Sequence, residues 1–175
     1  MRFLLCLIIL STPHAQCVFN EFMIDPDNDN TGEFIEVVNM SDSIIVLTHY
    51  FLCDVQDTDM VIAFPDSLLL PGQYGLILDQ NYAGEYDSLI PDSISRFTIE
   101  DSRFGMYGIS NSTSKPFSLL GAQGQISDSY TTGIPDWPDP GFTMERCRTS
   151  KNIWQQSLYS GGTPGTDNST SPKNR

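Results

Sequence analysis

Residues 32–39, GEFIEVVN, form the stretch of sequence that decides the fold. Its aromatic and β-branched residues are those that strands favour. Alternation along a strand assigns the side chains to two faces, with Phe34, Glu36 and Val38 on one and Glu33, Ile35 and Val37 on the other. A glutamate must therefore share an apolar face, and the stretch predicts a β-strand at residues 33–38.

Similar short segments, bounded by Gly, Pro, Asn or Asp, occur on both sides of this strand. Strands are predicted at residues 18–24, 44–47, 50–55, 74–78, 117–120 and 125–130, with a further candidate at 94–99. The pair at 117–120 and 125–130 is predicted to form a hairpin. Segments of this length and spacing indicate an all-β sandwich, and 175 residues indicate a single domain.

The first fifteen residues have the composition of an export signal. Arg2 precedes an apolar run at 3–10 and small residues up to Ala15, where we place the cleavage. The run is too short to span a bilayer, and no later run is long enough. We therefore expect a secreted or cell-surface protein without a membrane span: a signal peptide at 1–15, a domain at 16–165 and a flexible polar tail at 166–175.

The net charge of −13 narrows the classes of partner. Phosphate backbones would be repelled, so nucleic-acid binding is disfavoured. Excess carboxylate suits either a solvated surface or divalent cations. Whether an acidic residue belongs to a cation site or to the solvated surface must therefore be judged from its spacing to other acidic residues.

Three cysteines follow the signal: Cys17, Cys53 and Cys147. In an oxidising compartment an odd number allows one internal disulfide and leaves one thiol. We expect a structural bridge from Cys147 to Cys53 or to Cys17, and the sequence does not choose between them. C-x-x-C spacing is absent, so zinc is not indicated.

Several separated motifs resemble the lamin tail family, in the order in which that family has them. Its apolar-Asn-Glu-apolar opening is matched by FNEF at 19–22, its E-F-I-E-L-x-N strand by residues 32–39, and its L-x-G-W-x-L-x-D segment by 47–54. Its L-x-P-G-x-Y turn is matched by residues 70–74, and its hairpin is matched by residues 119–128. Its closing run is matched by MER at 144–146, Trp154 and GTPG at 162–165. The family's Gly-Trp is replaced by His49 and Tyr50.

This resemblance implies an immunoglobulin-like β-sandwich of the lamin-tail type, and a module without catalytic activity. In nuclear lamins the domain binds partners, and in bacteria it is attached to exported enzymes or surface proteins. We therefore expect a module for protein binding, adhesion or scaffolding, whose partner is a protein or an extracellular polymer. Two alternatives are a calcium-dependent carbohydrate-binding module and an accessory domain of an exported hydrolase.

A candidate calcium loop follows the first predicted strand. Asp25, Asp27 and Asp29 alternate, with Glu33 beyond them, and Ca²⁺ takes six to eight oxygen ligands from such flexible loops. The order of ligands does not match an EF-hand. The alternative is an ordinary turn, since Asp, Asn and Pro are also preferred there.

Glu36 and Arg146 are the candidate structural pair. A buried glutamate needs a partner, and the arginine fork is a natural one. We expect Arg146 to pair with Glu36 and Glu145 to point outward, although a solvated Arg146 is an equal alternative.

Two tryptophans are candidate contact residues. Trp137 lies between prolines in a stiff loop, where its ring either contacts a ligand or covers the core. Trp154 belongs to the closing motif, and we expect it to have a structural role.

Enzyme chemistry is not indicated by the spacing of reactive residues. Glu33 and Glu36 lie on opposite faces of one strand, whereas a glycosidase needs two facing carboxylates. After the signal His49 is the single histidine, and no G-x-S-x-G motif presents a serine. No catalytic residue is therefore assigned.

Overall fold

The structure is a computed structural model that describes residues 17–147 and 153–170. The expected signal peptide at 1–15 lies outside these residues. The described chain forms one turn of 3-10 helix at Leu47–His49 and twelve strands: β1 (Cys17–Met23), β2 (Phe34–Asn39), β3 (Ile45–Val46), β4 (Phe51–Cys53), β5 (Thr58–Ala63), β6 (Leu68–Leu69), β7 (Tyr74–Leu78), β8 (Ser95–Ile99), β9 (Pro116–Leu120), β10 (Ile126–Thr131), β11 (Phe142–Arg146) and β12 (Trp154–Ser160). Within the described ranges, no helix has the length and apolarity needed to cross a membrane.

The protein is all-β, as the sequence predicts. Strands occur at each segment predicted from alternation, and β7 has the predicted bounds. Strands β5, β6, β11 and β12 lie outside the segments predicted as strands from alternation. Alternation is weak in β12, WQQSLYS, because most of its side chains are polar.

Ten strands form one sheet in the order β10-β9-β4-β5-β8-β7-β2-β1-β11-β12. β5 belongs to both halves of this sheet, because residues 58–60 pair with β4 while residues 61–63 pair with β8. Phe22 of β1 lies 6.0 Å from Phe117 of β9 and 4.9 Å from Tyr130 of β10, measured between ring centroids. The two halves therefore face each other across a shared core, as in a sandwich.

An irregularity in β1 sets which side chains enter the core. The register between β1 and β2 shifts between Phe19 and Glu21, so Asn20 is an extra residue in β1. As a result Phe19 and Phe22 both lie in the core, with ring centroids 5.0 Å apart. Each buried phenylalanine stabilises the fold by roughly 1.5–3 kcal/mol.

The outer face of the β1–β2–β7 region is covered as well. A second apolar cluster joins Phe34, Leu76 and Leu78 of the sheet to Tyr86 and Ile90 of the long connection before β8. The remainder of this face carries polar side chains that the closing segment, residues 161–170, covers. β2 is consequently buried on both faces.

Candidate protein-binding surface

A second, two-stranded sheet lies beside the sandwich. β3 pairs with β6, so that Ile45 stands opposite Leu69 and Val46 opposite Leu68. Ile45 and Leu69 are buried in the main core. The side-chain amide of Asn39 donates to Ser43 O at 2.8 Å and to Leu69 O at 2.9 Å. Core burial on one face and this amide bridge fix the small sheet in place.

The outer face of this small sheet is apolar and exposed. Val46 and Leu68 are direct cross-strand neighbours, with exposed fractions of 36% and 46%. Ile44, directly before β3, and Leu70, directly after β6, are 57% and 50% exposed. These four residues define the β3–β6 patch. Contiguous patches of exposed apolar side chains are uncommon on folded domains, so the β3–β6 patch is a candidate contact surface.

A groove of about 340 Å³ lies beside the β3 part of the patch. Ile44, Val46 and Tyr50 line it together with Gln123 and Gln125 of the β9–β10 turn. Polar side chains therefore border the apolar patch on this side, an arrangement that is common at protein interfaces. The sequence indicated a strand at 44–47, but it did not show that Val46 would be paired with another exposed apolar residue.

The carboxylates of the candidate calcium loop are dispersed. Asp25 Oδ1 accepts a hydrogen bond from Asn111 Nδ2 at 2.9 Å, while Asp27 and Asp29 are exposed. Across residues 17–147 and 153–170, the three carboxylates that converge to within 4.8 Å belong to other residues, Asp57, Asp59 and Asp101. Calcium binding by the loop stays a prediction from its composition.

Glu33 is buried at the floor of a polar cavity of about 330 Å³ that Asp29 and Arg103 also line. Glu33 Oε1 accepts a hydrogen bond from Ile109 N at 2.9 Å, and Oε2 has no partner among the described residues. Burial raises the pKa of Glu33 to about 9, and the nearby Asp79 adds to this. The protonated form is thus favoured at neutral pH.

Arg146 does not pair with Glu36, so the predicted ion pair is wrong. Arg146 forms its ion pair with Asp128 of β10, and its guanidinium lies 4.9 Å from the ring of Trp154. Trp154 is buried and stacks on Tyr130, with ring centroids 3.9 Å apart. Arg146 does not reach Glu36 because alternation along β11 places Arg146 on the face opposite to Glu145, and Glu36 lies on the same face as Glu145.

Glu36 belongs instead to a row of three buried glutamates on the outer face. Glu21 of β1 stands opposite both Glu36 of β2 and Glu145 of β11. All three are fully buried, so the expectation that Glu145 points outward is wrong. The ion pairs formed within the described residues do not include any of the three. This glutamate row therefore depends on hydrogen-bond donors.

The closing segment supplies many of these donors. Thr163 donates from its N to Glu21 and from its hydroxyl to Glu145, each at 2.8 Å, and Gly165 N donates to Glu36. Thr170 N donates to Glu145 at 3.0 Å. We expected a flexible tail from residue 166, but residues 166–170 lie against the sheet because buried carboxylates need donors.

Asn168 joins the closing segment to β1 and β11. This residue is buried, and its Nδ2 donates to Arg146 O at 2.8 Å. Its Oδ1 accepts from Asn20 Nδ2 at 2.8 Å, and the same Asn20 amide contacts Glu36 Oε1 at 2.6 Å. The extra residue of β1 is thus the link between the glutamate row and the end of the domain.

The charge state of the glutamate row follows from its burial. Burial raises the pKa of Glu21 to about 8, although hydrogen bonds from Thr143 and Thr163 lower it. Burial and the neighbouring Glu21 also raise the pKa of Glu36 well above its ordinary value. Protonated carboxyls in this row reduce the repulsion between its members, and the row acts as a structural element.

Trp137 is partly buried and packs against the main core. A Cβ atom on Gly133 would lie 2.5 Å from its indole, so the ring lies directly over that glycine. Of the two fates that the sequence left open, covering the core is the one observed.

The predicted disulfide is wrong. Cys17 and Cys53 are free thiols, which leaves Cys147 with neither of its expected partners. Cys17 lies in the core at the start of β1. Cys53 ends β4 in the other half of the sheet, where its sulfur contacts Asp54 O at 3.1 Å.

Similarity to known proteins adds no further constraint on the site. A comparison of the chain with models of protein families found no matching family, and a comparison with curated proteins found no significant match. The likeness to the lamin tail family therefore rests on the motifs of the chain.

Proposed function

We propose that the protein is an exported, noncatalytic binding module of the lamin-tail type, an immunoglobulin-like sandwich that docks a protein partner on the β3–β6 patch. The observation that carries this proposal is the pairing of exposed Val46 with exposed Leu68 on the outer face of a rigidly held small sheet. Extracellular binding, adhesion or scaffolding needs such a surface and no catalytic group.

The family part of the proposal is supported by where the separated motifs meet. Glu21 of FNEF, Glu36 of EFIE and Glu145 of MER form one row across adjacent strands. Thr163 and Gly165 of GTPG donate hydrogen bonds to that row. Motifs that are far apart in sequence therefore belong to a single structural unit, which is the simplest reason for their occurring together.

A protein partner suits the patch better than a polysaccharide or a nucleic acid. The predicted carbohydrate site relied on an exposed face of Trp137, and that ring is packed over Gly133. The net charge of −13 repels phosphate backbones. Branched aliphatic side chains at a sheet surface instead match the apolar centre of a protein interface.

The test compares a patch variant with a matched control. Val46→Asp combined with Leu68→Asp places two charges at the centre of the patch. Val55→Asp combined with Ile126→Asp changes two residues that are also highly exposed, at 76% and 67%, but lie outside the patch. Each full-length protein is immobilised and used to capture proteins from the extracellular fraction of its source, and photo-crosslinking from position 68 then identifies the direct contact.

A protein that the wild type and the control capture, that crosslinks from position 68 and that the patch variant loses supports the proposal. Equal capture by all three proteins, or capture of nothing specific by the wild type, contradicts it. Sedimentation of the same proteins provides a further check: a wild-type dimer that the patch variant loses would show that the patch is occupied by a second copy, and would overturn the assignment to a different partner.

A further inference from the structure

Three aspartates from two distant parts of the chain meet at one end of β5. Asp57 directly precedes β5, Asp59 is its second residue, and Asp101 lies just beyond β8. One carboxylate oxygen from each lies within 4.8 Å of the other two. We refer to Asp57, Asp59 and Asp101 as the aspartate cluster.

Strand pairing produces this cluster. Val61 of β5 stands opposite Ile99 of β8, and the same register places Asp59 opposite Asp101. Glu100 N donates to Met60 O at 3.1 Å, which keeps the two chains side by side at this point. Alternation places Asp57 and Asp59 on the same side. The arrangement is therefore held by backbone pairing.

The central carboxylate of the cluster is buried and incompletely bonded. Asp59 is 1% exposed. Its Oδ2 accepts a hydrogen bond from Gly105 N at 2.6 Å, whereas its Oδ1 has no hydrogen-bond partner among the described residues. A buried oxygen without a partner loses its hydration and gains nothing in return. A ligand that contacts this carboxylate would remove that cost.

The cluster also lacks a countercharge. In the described parts of the chain, the ion pairs include none of its three aspartates. Burial and the charges on Asp57 and Asp101 raise the pKa of Asp59 to about 6. Asp101 is exposed, so an ion from solvent can reach the group. The unmet requirement is therefore for positive charge.

We propose that the aspartate cluster is a Ca²⁺ site, in which Asp57, Asp59 and Asp101 provide carboxylate oxygens and water completes the coordination. Ca²⁺ binds oxygen at about 2.4 Å, so two of its ligands lie at most about 4.8 Å apart, which the cluster satisfies. Its tolerance of irregular geometry suits a site made from a strand end and a loop. The bound ion would tie the loop after β8 to β5.

Calcium titration of the full-length protein tests the site. Isothermal calorimetry and thermal unfolding are measured with CaCl₂ up to about 10 mM, which exceeds the dissociation constants typical of extracellular modules. NaCl at matched ionic strength and MgCl₂ serve as ion controls. Asp101→Asn removes one exposed ligand from the cluster, and Asp29→Asn removes an exposed carboxylate from the other acidic loop.

We expect the wild type and Asp29→Asn to bind Ca²⁺ and to unfold at a higher temperature with it, and Asp101→Asn to bind at least about tenfold more weakly. Asp57→Asn should behave like Asp101→Asn, which guards against a folding defect in a single variant. Absence of binding by the wild type overturns the proposal. So does equal binding by Asp101→Asn, or a loss confined to Asp29→Asn, which would move the ion to the Asp25–Glu33 loop.

Discussion

The glutamate row and the aspartate cluster each bring three carboxylates together, but their surroundings differ. In the row, hydrogen bonds from the chain itself reach Glu21, Glu36 and Glu145. In the cluster, Asp59 has a buried oxygen without a hydrogen-bond partner in the described chain. The hydrogen-bonding needs of the glutamate row are therefore met by the chain itself, whereas the aspartate cluster retains a carboxylate oxygen that the described chain leaves unsatisfied.

This difference shows that the role of a group of carboxylates depends more on the hydrogen-bond donors around it than on its total charge. Carboxylates that accept backbone and hydroxyl hydrogen bonds are satisfied without a cation. Carboxylates that face one another with few donors need either a proton or a metal ion. Substitutions and changes of pH that act on either the glutamate row or the aspartate cluster should separate the two cases.

The largest effect is expected from Gly162→Ala, which acts on the glutamate row. Gly162 has a φ of 74°, and an added Cβ would collide with Glu21 Oε1 and lie 2.5 Å from Thr143 Oγ1. Displacement of buried groups together with the strained φ should lower the free energy of unfolding by about 3–5 kcal/mol. Urea unfolding measures the change.

Gly124→Ala is the matched control for this substitution. Gly124 has a nearly equal φ of 76°, but a Cβ there would have no atom within 4 Å. Backbone strain alone should cost about 1 kcal/mol. Equal losses in the two variants would show that the closing segment does not pack tightly on the row.

A smaller effect is expected from pH, through the raised pKa of Glu21. An unfolded glutamate loses its proton near pH 4.5, whereas Glu21 in the fold keeps it to about pH 8. The native state thus holds more protons between these values, so its stabilisation is complete below about pH 4.5 and is lost as pH rises toward about 8. Each such group contributes a slope of up to about 1.4 kcal/mol per pH unit.

Glu21→Gln should make this slope shallower. The side chain keeps its acceptor oxygen for Thr143 and Thr163 but no longer titrates. The measurement is the free energy of unfolding of both proteins across this pH range. Identical slopes would mean that Glu21 is ionised in the native state throughout, and that the row has a charge arrangement different from the one described.

The smallest effect is expected in the aspartate cluster without calcium. Asp101→Asn removes one of the charges that raise the pKa of Asp59 to about 6. Because burial is the larger cause and remains, the pKa of Asp59 should fall by less than about one unit. NMR titration of the carboxyl carbon of Asp59 measures this pKa. Asp92→Asn, which removes an exposed carboxylate, serves as the control. A pKa that does not move would place Asp101 too far from Asp59 to share an ion.

Local pattern was sufficient to predict much of the sheet. Residues 33–38 and 74–78 are rich in apolar side chains, and the strands there match the prediction closely. β5 was missed because Asp59 occupies one of its buried positions and interrupts the alternation of apolar residues. A buried charge is explained by its partners in the fold, which a single sequence does not show.

The sites were harder to predict because they depend on long-range pairing. Asp57 and Asp59 have the same alternation as Asp25 and Asp27, but the convergence with Asp101 arises from the pairing of β5 with β8. The polar composition of residues 166–175 indicated a tail, yet Ser169 and Thr170 provide hydrogen-bond donors that the glutamate row requires. Likewise, the exposure of Val46 indicates a candidate contact surface only because the pairing of β3 with β6 places the exposed Leu68 beside it.

The position of β1 determines when the chain can fold during its synthesis. β1 lies between β2, which the ribosome makes soon afterwards, and β11, which it makes only after β3 to β10. Until β11 and the residues after it have emerged, β1 has an open edge and Glu21 and Glu36 lack donors from Thr163 and Gly165. A nascent chain should therefore be unable to complete this sheet until residues 163–165 have emerged, and a premature stop before residue 163 should yield a product that proteases remove.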